Sequence, residues 1–415
     1  MHDRSKPRLT FPGQKSMRTL IAALVTVSFT AAGCDKVEGL VEDGKSLVNG
    51  EEPTVADTPP IAEPAAPPTI TTPEPVVPAG PTPQQIVEQF TSLRPDQITD
   101  GSLAQLASSP EAAATITEIN MQGAQVSGKG LGYLAAMPNL ETLNISGSRV
   151  ASDSLTAIGK AQSLKSINLA NSDTNDHVVS ELSRIPHLQS LDLSGTRVTG
   201  GSATGLSSMR ELTDLILTGT AADDQVVSGL VSLPLRKLEL SKTNISNASL
   251  PMILKIQTLE SLNVSFCGVT GDAFKGFGKS GIKELAVGET QFGIEGFMAI
   301  KGMSALENLN VYAAGLVEHK SANVFRTFPN LKVLNAGRNP LTDAGMNVFF
   351  KGHKTLEELH LQLNKGITDN GLAALIGVKT LRLLDVAGTS CGAAGAQALK
   401  AKLPECVIRT SNGQF

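Results

Sequence analysis

Side chains able to do chemistry are few and scattered in this 415-residue chain. The six histidines (His2, His177, His187, His319, His353 and His360) never stand at the paired spacing of a metal site, and no Cys-x-x-Cys occurs. No Gly-x-Ser-x-Gly elbow and no phosphate-cradling loop is present. His360 and Asp385 have the types for an acid–base pair, but no nucleophile accompanies them. The pattern assigns no catalytic residue, no metal ligand and no cofactor. Recognition chemistry is better represented. Tyr312, Asn335, His360 and Asp385 put an aromatic ring beside polar groups, as a binding anchor does. Of the four cysteines, Cys34 closes an apolar run and Cys267 falls inside a repeat. Cys391 and Cys406 flank the last expected helix, where they either pair or remain two buried thiols.

These residues are positioned by a repeat. Leu140/Leu143/Ile145, Leu164/Ile167/Leu169 and Leu188/Leu191/Leu193 share one spacing, which returns as far as Leu381/Leu384/Val386. Twelve repeats start at 116, 140, 164, 188, 212, 235, 259, 282, 306, 331, 356 and 381, and a fixed period of this size signals a solenoid. In each repeat the leucines of a short strand point inward while the residues between them point out. The outward middle residues run Asn120, Asn144, Asn168, Asp192, Ile216, Glu239, Asn263, Ala286, Asn310, Asn335, His360 and Asp385, the line on which any function is expected to be written. Each strand is followed by a helix-start signal, such as Thr342-Asp343, and by apolar residues three apart. With 13 Phe, 2 Tyr and no Trp, the expected core is aliphatic.

Eight residues into each repeat stands a small side chain, Ser172, Thr196, Thr220, Thr243, Cys267, Asn339 or Asn364 among them, suited to binding buried backbone groups at a turn. With the Thr-Asp-x-Gly-Leu helix start, the chain from 116 to 406 resembles leucine-rich repeat proteins of the bacterial 24-residue type. The resemblance implies an α/β solenoid: a horseshoe with a parallel concave sheet and short convex helices. Ala124 and Ala314 depart from the turn position, and Val178–Val179 replaces the helix-start Gly-Leu of the third repeat.

Ahead of the repeats, residues 20–33 form an uncharged apolar run behind Lys15 and Arg18, too short to span a membrane comfortably and suited to a secretory signal. It ends in Ala31-Ala32-Gly33-Cys34, which resembles the lipobox of bacterial lipoproteins. That resemblance implies cleavage after a signal peptide at 1–33, with translation starting at Met1 or Met17, and a diacylglyceryl group on Cys34. The alternatives are an uncleaved anchor or a cut near Ala32 without lipid. Residues 34–83 are expected to be a tether, since 51–83 hold 11 of the chain's 22 prolines. Residues 84–115 are expected to cap the first strand, and 407–415 to form a C-terminal cap or tail.

Net charge is −4, placed as +4 over 1–34 (five basic, one acidic), −7 over 35–83 (two basic, nine acidic) and −1 over the rest. A near-neutral solenoid lacks the electrostatic footprint of a nucleic-acid binder. The expectation is a lipid-anchored protein of a bacterial cell envelope, facing the periplasm or exterior. Its concave face would bind a protein partner, with Tyr312, Asn335, His360 and Asp385 as the candidate contacts. A structural envelope organiser without a discrete ligand, and an F-box-like substrate-recognition module, are the alternatives.

Overall fold

The computed structural model describes residues 80–317 and 324–415. The signal-like run, Cys34 and the Pro-rich stretch up to residue 79 lie outside the described residues, as does His319.

Three helices come first: Pro83–Thr91, Asp100–Ala107 and Pro110–Thr115. Each begins on a hydroxyl cap, Thr82, Thr99 and Ser109 respectively, accepting from a free first-turn amide. Their apolar faces (Ile86, Phe90, Leu103, Leu106, Ala112) join the core of the repeats. From Glu118 onward, three-residue strands pair in chain order, every pair parallel until the last. Register is one-to-one between equivalent residues, as in Leu143 against Ile167 and Leu191 against Leu215. In the strands of the repeats the central residue is buried and its two neighbours are half-exposed or exposed, which is the alternation a sheet with one wet face requires.

The sheet runs one strand past the twelfth repeat. Val407–Thr410 adds in parallel to Leu383–Asp385 and then turns back onto Gly413–Gln414. Glu405 and Thr410 stand where the other repeats carry apolar residues, which hides this strand in the sequence. The return covers the last open edge, with Ile408 and Phe415 exchanging backbone hydrogen bonds of 3.1 and 2.9 Å.

The helix-start motif ties neighbouring repeats together. Thr342 and Thr368 each cap their own helix from the side-chain oxygen. The Asp that follows serves the next repeat instead: Asp343 accepts from the Thr368 amide (2.7 Å) and hydroxyl (2.6 Å), and Asp369 from the Gly392 amide (2.7 Å). A Cβ on Gly371 or Gly395 would overlap these carboxylates, so the glycine of Thr-Asp-x-Gly makes room for the preceding repeat's Asp.

The core is aliphatic only in its first half. Phe274, Phe277, Phe292, Phe297, Phe325, Phe328, Phe349 and Phe350 are all buried and touch in a line, mostly edge to face, with centroids from 5.0 Å (Phe274–Phe292) to 6.3 Å (Phe325–Phe328). This corrects the expectation of an aliphatic core. Aromatic scarcity is an average over the chain, and the phenylalanines are concentrated within 77 residues. Such pairs add about 0.5–1.5 kcal/mol each beyond burial.

Candidate binding face

The outward line of strand residues has a structural duty that its exposure conceals. At eight of its twelve positions (Asn120, Asn144, Asn168, Asp192, Asn263, Asn310, Asn335, Asp385) Oδ1 accepts the backbone N–H two residues on, at 2.9 to 3.2 Å. The short Asx side chain closes the bend that ends each strand. Most of the line therefore also serves the scaffold. The duty lapses at Ile216, Glu239, Ala286 and His360, whose side chains do not make that bond.

The candidate patch is assembled around one of these releases. Asn335, His360 and Asp385 are register partners on neighbouring strands. Arg409 continues the row on the strand that the sequence concealed. Tyr312 stands apart from them, in the adjacent column, with its ring packed over Gly337 beside Gln362. His360 Nε2 lies 3.9 Å from Glu358 Oε2. Burial holds His360 below the ordinary histidine range; Asp385 and Glu358 pull upward without overcoming it, and Arg409 adds to the lowering. A mostly neutral imidazole thus sits between two carboxylates and a guanidinium. Glu358 and Arg409 escaped sequence reasoning, one as a flanking strand residue and the other as part of an apparent tail.

Glu239, a second release, is raised above the ordinary glutamate range by burial, against the pull of Lys237 at 3.7 Å. Among the described residues no cluster of His, Cys, Asp or Glu is placed to hold a metal ion.

The turn position behaves as its residue types suggest at most repeats, while Ser148 Oγ is buried without a hydrogen-bond partner. Ser172, Thr196, Thr220 and Thr243 donate to the carbonyl three residues back at 2.6–2.7 Å, and Cys267 Sγ reaches Leu240 O at 3.0 Å. Asn339 Nδ2 donates to three carbonyls, and Asn364 Oδ1 accepts the Asn339 amide. Cys267, Cys391 and Cys406 are free and buried. Cys391 and Cys406, on either side of the helix Ala393–Lys400, are therefore two separate thiols and not a bridge. Burial raises all three thiols, that of Cys406 to about 11.

One residue before the turn position the backbone is left-handed in all twelve repeats. The conformation lets that residue's N–H reach the next repeat, as Phe266 does to Gly288 O at 2.9 Å. Repeats 1–5 fill it with Gly123, Gly147, Asn171, Gly195 and Gly219, and repeat 12 with Gly388. Repeats 6–11 use Lys242, Phe266, Glu289, Ala313, Arg338 and Leu363, at φ between 49 and 63°. Each such residue costs roughly 1–2 kcal/mol relative to glycine. These side chains form a strip along the rim of the sheet. Phe266 is 53% and Leu363 48% exposed, Lys242 Nζ lies 5.2 Å from the Phe266 ring, and Arg338 pairs with Glu289 at 2.7 Å across Ala313.

A profile described as leucine-rich repeat matches residues 184–207, 255–274 and 352–375. Comparison with curated protein sequences returns no match. Among solved structures, the chain is similar to an internalin of Listeria monocytogenes, with 18% identity over 79% of this chain and 93% of that one and a TM-score of 0.53. It also matches a leucine-rich repeat protein of Leptospira interrogans at 17% identity, covering 72% of this chain and 74% of the other, with a TM-score of 0.49. The fold is a leucine-rich repeat horseshoe, with a parallel sheet on the concave side and helices behind it.

Proposed function

We propose that the chain is a non-enzymatic protein-binding scaffold, held to a bacterial membrane by lipid on Cys34 and engaging its partner through the C-terminal part of the concave face. The observation that carries the reading is the release at His360. Neighbouring strands keep Asn335 and Asp385 to close their bends, whereas His360 gives up that hydrogen bond and bears the desolvation of a half-buried imidazole. With Glu358, Asp385 and Arg409 around it and Tyr312 in the adjacent column, the side chain is of more use to a ligand than to the fold. A preformed sheet binds with little loss of conformational entropy.

Two experiments test the two halves. Capture of partners by the wild-type chain and by Tyr312→Ala/His360→Ala should show a defined partner lost at least tenfold from the double variant; undiminished capture removes this patch. Mass spectrometry of the membrane fraction should find acyl chains on the wild type and none on Cys34→Ser; an acylated Cys34→Ser protein ends the anchoring proposal.

A further inference from the structure

The rim strip has an internal order. Centred on Ala313, it reads outward as Glu289 and Arg338, of opposite charge; then Phe266 and Leu363, both apolar and half-exposed; then Lys242 and the bare Gly388. Rotation by 180° about an axis through Ala313 carries the acid onto the base and one apolar residue onto the other. Isologous interfaces require this relation, with residue i meeting j while j meets i. Neighbouring strands are about 4.8 Å apart, so the span from Phe266 to Leu363 is about 19 Å, and equal steps on either side keep the pairs in register.

The remaining features point to the same occupant. Large apolar residues are exposed at four places among the described residues: Phe266, Leu363, Met298 and Ile376. The first two are on the strip; Met298 is in the helix Gly293–Ala299 and Ile376 follows the turn Ala373–Leu375 on the opposite side of the repeat. At the axis the smallest strained side chain, Ala313, lets two backbones approach, and Gly388 adds no side chain of its own at the position equivalent to Lys242. Six consecutive repeats tolerate left-handed strain to hold this arrangement, whereas the other six avoid it with Gly or Asn.

We propose that this strip is a self-association surface, on which a second copy of the chain docks antiparallel about a twofold axis at Ala313. Glu289 of each copy meets Arg338 of the other, closing a four-membered ring of charges, and Phe266 packs on Leu363. A single row of side chains makes a small interface, in the weak and reversible class. The inference is independent of the concave-face reading, because none of its residues belongs to the His360 patch.

The test uses the full chain with Cys34→Ser, whose other cysteines are buried. Under mild oxidation Ala313→Cys should form a disulfide-linked dimer at least tenfold faster than a control cysteine at the exposed Ala221. Glu289→Arg makes the strip basic and Arg338→Glu makes it acidic. Each variant alone should sediment as a monomer, and an equimolar mixture should form heterodimers. Unchanged melting of both variants would show that they remain folded, as expected for an exposed pair. A wild type that stays monomeric at every concentration, cross-linking at Ala313 no faster than at Ala221, or a mixture without heterodimers would each overturn the proposal.

Discussion

Repeats 1–5 and repeats 6–11 share one backbone and treat it differently. In the first group the left-handed position is Gly or Asn, the outward Asx line is broken once, at Ile216, and the core is aliphatic. In the second group the left-handed position carries six strained side chains, the Asx line is broken at Glu239, Ala286 and His360, and a file of phenylalanines fills the convex side. Where each residue follows the template, it serves the fold. Departures that cost stability gather in the second group, and there the chain has room for recognition.

The contrast can be broken at several points. The largest effect is expected from Leu191→Asp, which places a carboxylate in the fully buried aliphatic core; the array should unfold cooperatively, as followed by circular dichroism. An unchanged melting curve would contradict the register. Next, Phe292→Ala removes a ring packed edge to face on both Phe274 and Phe297 and should cost about 3–5 kcal/mol in denaturant unfolding. A much smaller loss would mean that the aromatic file is filler and not a specific packing device.

The left-handed position allows a direct swap between the halves. Gly219→Ala imposes a side chain at φ 70° where no atom obstructs it, so the expected loss of about 1–2 kcal/mol is backbone strain alone. Ala313→Gly runs the other way and should be neutral or stabilising by up to about 1 kcal/mol. Equal responses at the two sites would erase the distinction.

The smallest effect is expected at His360. His360→Asn supplies a carboxamide able to close the bend onto the Gln362 amide, which should add about 0.5–1.5 kcal/mol at neutral pH. The folded protein resists protonating His360, whose pKa is lowered by burial. Its stability is therefore full above the ordinary histidine value of about 6.5 and declines as pH falls through that value, levelling below the lowered one. The Asn variant should lack this contribution to the acid slope. An identical pH profile would show that His360 titrates as it does in the unfolded chain.

The apolar spacing made much of this fold legible. The pair Leu191/Leu193 shares one face of its strand by the period of two, and Leu188, just ahead of the strand, is buried with them. The role of the Asn line was not legible, since an exposed Asn looks the same whether it faces a ligand or closes its own backbone. Val407–Thr410 was missed because Glu405 and Thr410 interrupt the leucine pattern, and Arg409 was missed with it. The rim strip had a usable signal. Gly123, Gly147, Gly195 and Gly219 recur at one position of the repeat, and a recurring glycine marks a backbone requirement that the residues replacing it must meet under strain.

The most direct measurement is made on one variant, with Lys242, Phe266, Glu289, Ala313, Arg338 and Leu363 all changed to Gly. If these side chains serve recognition at the expense of the fold, the variant should melt no lower than the wild type and should no longer self-associate in sedimentation. A variant that melts well below the wild type while self-association persists would contradict the account, because the strip would then be part of what holds the solenoid together.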